Sequence, residues 1–206
     1  MSAVLDATLL AEVFITLAVI MDPLGTIPLF LSLTSGRSVA MRKRAAWQAV
    51  LVAFAVIVVF ALFGRQLLAY LHISLPALQA AGGLLLLLVA LELLTGKSEE
   101  PSQARDVNVA LVPLGTPLLA GPGAIVATMV FVERIDSVPD VVAVALGVVG
   151  IHAVLWLTMR YSVGILRLIR ESGVILVTRI SGLLLSAIAV QLVADAVRAF
   201  VTGEGQ

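Results

Sequence analysis

Two short segments carry the polar backbone chemistry of an otherwise apolar chain: Asp22-Pro23-Leu24-Gly25-Thr26, with Pro28 beyond it, and Pro113-Leu114-Gly115-Thr116-Pro117, followed by Gly121-Pro122-Gly123. Proline removes a backbone donor and clashes with the preceding turn, and glycine lowers the cost of non-helical dihedrals, so a helix entering either segment must break. A break exposes free amides with positive potential at one half-helix end and free carbonyls with negative potential at the other. Such a pair of ends suits a zwitterion. Amides near Gly25-Thr26, Gly115-Thr116 and Gly121-Gly123 could hold a carboxylate, while carbonyls and Asp22 could hold an ammonium or a coupling Na+ or H+. The hydroxyls of Thr26 and Thr116 supply adaptable donors and acceptors. Two plainer roles compete: the prolines and glycines could only kink helices for close packing, and Asp22 before Pro23 has the signature of a helix N-cap.

The remaining polar residues in apolar stretches are weaker candidates for coupling. Glu92 lies about one turn from a span end, where snorkelling to the interface explains it, and His152 could titrate near neutral pH or simply bond a neighbouring helix. Gln79 and Gln191 read as interhelical glue. The chain has no cysteine, no metal-ligand cluster, no phosphate-binding glycine loop and no nucleophile elbow, so neither an enzyme nor a bound cofactor or metal is expected.

These breaks must be positioned by lipid-facing helices. Hydrophobic residues make up 61% of the 206 residues and charged ones 13%, and the mean hydropathy is +1.13, well outside soluble-domain composition. Apolar runs predict an all-α polytopic membrane protein with spans near 9–34, 45–71, 75–95, 107–131, 139–161 and 174–201, joined by short turns and one polar linker. The whole of 1–206 reads as a single transmembrane domain. Lys and Arg balance Asp and Glu at 13 each, which gives no nucleic-acid surface. The first 20 residues lack the basic start of a secretory signal and read as part of the first helix.

Charge distribution orients the spans. Arg37, Arg42, Lys43, Arg44, Lys97, Arg105, Arg160, Arg167, Arg170 and Arg179 fall on one side, and only Arg65, Arg134 and Arg198 on the other. By the positive-inside rule both termini are extracytoplasmic. Trp47, Trp156 and Tyr161 near one set of span ends, and Tyr70 near the other, fit aromatics at headgroup level.

The chain also repeats itself. Pro23-Leu24-Gly25-Thr26 recurs as Pro113-Leu114-Gly115-Thr116 at an offset of 90 residues, and Gly83-Leu84-Leu85-Leu86 recurs as Gly182-Leu183-Leu184-Leu185 at an offset of 99. Repeat one covers about 1–96, the linker 97–108 and repeat two about 109–206. Three spans per repeat is an odd number, so the second copy crosses the bilayer in the opposite sense. Six helices then form two inverted three-helix repeats, with the first and fourth helices discontinuous, and the two breaks share a midplane site.

The stretches Met21-Asp22-Pro23-Leu24-Gly25-Thr26-Ile27-Pro28-Leu29-Phe30 and Pro113-Leu114-Gly115-Thr116-Pro117-Leu118-Leu119-Ala120-Gly121-Pro122-Gly123-Ala124-Ile125 resemble the two signature motifs of the MarC family, and the resemblance covers essentially the whole chain. It implies a bacterial or archaeal inner-membrane protein, similar to SnatA-type transporters of small neutral amino acids such as glycine and alanine. Matched motif by motif, the implied substrate-binding residues are Asp22, Pro23, Gly25, Thr26, Gly115, Thr116, Gly121 and Gly123. The expected partners are a small zwitterionic solute and membrane lipids, and a homo-oligomer is compatible with them. The competing functions are export of other small metabolites or drugs, a narrow channel, and a non-transporting membrane scaffold.

Overall fold

The structure, a computed structural model, describes residues 5–96 and 119–203, and all of its regular elements among these are helices. In chain order they are α1 (Ala7–Met21), α2 (Thr26–Leu33), α3 (Val39–Tyr70), α4 (Leu75–Thr95), α5 (Pro122–Glu133), α6 (Val138–Arg160) and α7 (Ser162–Thr202). Polar residues at the apolar boundaries set the helix ends. Asp6 caps α1 by accepting from the amides of Thr8 and Leu9, both at 2.9 Å, and Ser74 caps α4 at the amide of Ala77, 3.3 Å. Asp140 reaches back from the first turn of α6 to the amides of Ser137 and Asp136, at 2.9 and 3.1 Å.

Four helices are long and apolar enough to cross a bilayer: α3, α4, α6 and the Ser172–Thr202 part of α7. Helices α1 and α2, bent by 50° across residues 22–25, form a fifth span if taken together. The first span is thus interrupted where the prolines and Gly25 predict. The fourth expected span is described only from Leu119 onward, and the 12 residues of α5 are its far end. Two boundaries differ from those read in the sequence. Helix α3 begins six residues earlier than residue 45, because Ser38 accepts from the amide of Met41 at 3.3 Å and the basic residues in the first turns reach water. The connection before the sixth span is also helical rather than a turn, and α7 breaks at Arg170 (φ 63°, ψ 165°).

Packing is reciprocal between the two halves. Helices α1 and α2 of the first half touch α6 and α7 of the second, α5 of the second half touches α3 and α4 of the first, and α4 lies along α7. A core of Val13, Leu17, Phe30, Ile57, Ile151, Leu155 and Met159 fills the first group, and Leu86, Ala90, Leu185 and Ala189 fill the α4–α7 seam. That seam is tight because small residues let backbones approach. A Cβ added to Gly83 would come within 2.8 Å of the Ala189 carbonyl, and one added to Gly182 within 3.3 Å of the Ala90 carbonyl. Both glycines and both alanines are related by the same 99-residue offset.

Candidate functional site

The break between α1 and α2 is built around Asp22. Its amide closes the last turn of α1 on the Ala18 carbonyl at 3.1 Å, and its backbone then turns left-handed (φ 37°, ψ 73°), a region that Asp tolerates better than most residues. This turn folds the carboxylate back over the entrance to α2. Oδ1 accepts from the Gly25 amide at 3.2 Å, and the Asp22 carbonyl accepts from the Thr26 amide at 3.0 Å. The Thr26 hydroxyl donates to the Pro23 carbonyl at 2.8 Å. The amides of Gly25 and Thr26 are therefore engaged within the turn itself.

Asp22 is 7% exposed, and the other half of the molecule supplies the rest of its surroundings. Ser181 of α7 donates to Oδ1 at 3.4 Å. Thr178, one turn earlier on α7, borders the same space: a Cβ on Gly25 would meet the Thr178 hydroxyl at 2.8 Å and would overlap the Asp22 carboxylate. Gly25 is thus required by close approach. Asp22 Oδ2 is buried and has no hydrogen-bond partner among the described residues. Leaving a buried charged acceptor unpaired costs several kcal/mol, so an atom in this state is a place for a cation or donor to enter.

At the second interruption Gly121 precedes α5 in extended conformation (φ −63°, ψ 163°), Pro122 occupies its first turn, and no side chain among the described residues caps it. The first-turn amides of a helix have no partner within it, so this end carries positive potential. Gly123 is buried, and a Cβ there would overlap the Leu86 side chain of α4, which makes Gly123 a packing position. Gly115 and Thr116 lie outside the described residues, as do Pro113 and Pro117.

The structure does not bring Glu92 or His152 to Asp22. Glu92 is exposed near the end of α4, as snorkelling requires. His152 is buried on α6, where Nδ1 donates to the Val148 carbonyl at 2.7 Å and the ring packs edge to face against Phe54 at 5.2 Å. A cleft of about 190 Å³ opens near the start of α1, lined by Asp6, Glu12, Arg134 and Asp140 among others. Beside it two ion pairs join the halves at one end of the bundle: Arg134 with Glu12 at 3.2 Å and Arg65 with Glu133 at 3.1 Å.

Thr178 and Ser181 are missing from the residues that the sequence singles out. The available signal was a pair of hydroxyls three residues apart in an apolar span, which places both on one helix face.

The family model described as MarC family integral membrane protein matches residues 7–201. A UPF0056 membrane protein of Methanocaldococcus jannaschii is 36% identical over 186 residues, covering 87% of this chain and 91% of its own. A UPF0056 membrane protein of Aquifex aeolicus is 33% identical over 198 residues, with 92% of each chain covered. The UPF0056 membrane protein YhcE of Escherichia coli is 31% identical over 199 residues, again with 92% of each covered. No solved structure matches the chain. With a family model spanning nearly every residue, and an interrupted, lipid-compatible helical bundle in the structure, this chain belongs to the MarC family of integral membrane proteins.

Proposed function

We propose that the protein is a secondary transporter of a small zwitterionic solute, of the neutral amino acid class that includes glycine and alanine, residing in the inner membrane with both termini extracytoplasmic. The observation that carries this reading is the buried, half-unpartnered carboxylate of Asp22 at a helix break, facing hydroxyls from the opposite half of the molecule. An ammonium group or a coupling Na+ or H+ would supply the missing partner of Oδ2, and the uncapped start of α5 at Gly121 would take the solute carboxylate. The reciprocal packing of the halves and the paired Gly83–Ala189 and Gly182–Ala90 approaches support two inverted three-helix repeats. Alternating access would then be a rocking of one repeat against the other, opening and closing the path to Asp22.

Purified protein in proteoliposomes tests this directly. Saturable uptake or exchange of labelled glycine or alanine is expected under an imposed sodium or proton gradient. Folded protein that moves neither solute under either gradient would overturn the substrate assignment, and flux that neither saturates nor depends on a gradient would replace the transporter with a channel.

A further inference from the structure

An apolar groove of about 310 Å³ lies between α3 and α6, away from Asp22. Trp47, Leu51 and Phe54 form one wall, and Val149, His152 and Trp156 the other. The two tryptophan rings meet edge to face at 6.2 Å, and Trp47 remains 54% exposed and Leu51 50%. Directly at the tryptophans the chemistry changes. The Arg160 guanidinium lies over the Trp156 ring at 5.1 Å, and Lys43 and Arg44, both exposed, precede Trp47 by four and three residues, one turn along the same helix face.

These cations have no acidic neighbour along their own helices. No Asp or Glu occurs between Asp22 and Glu92 or between Asp140 and Glu171, and both ion pairs among the described residues join α1, α3 and α5 at the opposite end of the bundle. Reading inward, the order is cations, then tryptophans, then an apolar trough reaching His152, two helical turns or about 12 Å below Arg160. This is the order of a phospholipid: phosphate at the surface, interfacial region, acyl chain.

We propose that the groove binds an anionic phospholipid, with its phosphate held by Arg160, Lys43 and Arg44 and one acyl chain lying along the Trp47–Phe54 wall. A soluble anion would leave the trough unused, and an uncharged lipid surface would leave the cations unmatched. A second copy seated here through a two-fold axis would bring cations of the same sign against these three, which opposes association.

The chain contains only 2 tryptophans, and both line the groove, so intrinsic fluorescence reports on the lipid at this face of the protein. The protein is reconstituted into phosphatidylcholine vesicles in which either phosphatidylglycerol or phosphatidylcholine with brominated chains is titrated, since bromine quenches tryptophan on contact. Brominated phosphatidylglycerol is expected to reach half-maximal quenching at a several-fold lower mole fraction, at about fivefold per contributing cation, and the preference should shrink as salt rises. The variant Arg160→Gln should lose part of the preference, and Lys43→Gln, Arg44→Gln and Arg160→Gln together most of it. Equal quenching by the two lipids would overturn the proposal, as would a preference unchanged in the triple variant. Tryptophans shielded from both lipids would overturn it in favour of a protein partner.

Discussion

At the first interruption the chain turns through Asp22 and folds its own carboxylate back onto the amide of Gly25; at the second, Gly121 and Pro122 open α5 with no side-chain capping hydrogen bond among the described residues. One break carries a built-in carboxylate with an oxygen to spare, and the other presents the positive potential of a helix start without a capping side chain among the described residues. If both breaks existed only to kink helices, this division would have no use. For a solute with a cation at one end and an anion at the other, it gives each end a different reception.

The largest expected effect comes from erasing the anion. Asp22→Asn keeps the shape and the tolerance for a left-handed turn but removes the charge, so uptake in proteoliposomes should fall by about tenfold or more, as expected for loss of a charged hydrogen-bonding partner, with little change in thermal unfolding. Unchanged uptake in an equally stable variant would take Asp22 out of the site. Gly25→Ala leaves the carboxylate in the sequence but drives a methyl group into it. Its uptake should approach that of Asp22→Asn, and wild-type uptake would show that the carboxylate's position is immaterial.

The second break is tested in the opposite way, by supplying what it lacks. Gly121→Asp places a capping carboxylate on the first turn of α5, which should leave stability level or raise it by a few tenths of a kcal/mol while raising KM for the solute. A lowered KM would contradict the assignment of the solute carboxylate to that end. Ser181→Ala removes a long 3.4 Å contact to Asp22 and should change uptake least, by about two- to fivefold, in line with 0.5–1 kcal/mol for a modest hydrogen bond.

Much of this arrangement was legible in the residues. The span at Leu75–Thr95 has the bounds read from its apolar run, with Ser74 capping one end and Gly96 left-handed at φ 69° closing the other, and the break at residues 22–25 follows from local backbone chemistry alone. What sequence does not show is which distant groups meet. Ser181 lies 159 residues from Asp22, and nothing in an apolar span distinguishes a hydroxyl that faces a carboxylate from one that bonds its own helix, as Thr128 does at the Ala124 carbonyl. At Gly25 and Thr26 the sequence left two readings open, amides free for a solute or amides taken up by an Asp-Pro cap, and the turn geometry decides between them, with the Asp22 carboxylate accepting from Gly25 and its carbonyl from Thr26.

The left-handed backbone at Asp22 separates durability from activity. A non-glycine residue in this region costs about 1 kcal/mol or more relative to glycine. In Asp22→Gly relief of the turn offsets loss of the carboxylate's bond to Gly25, so resistance to heat or denaturant should stay close to that of the natural chain while uptake falls as it does in Asp22→Asn. If stability holds in that variant while uptake falls, the aspartate stands at this turn for what it does in transport rather than for what it does in the fold.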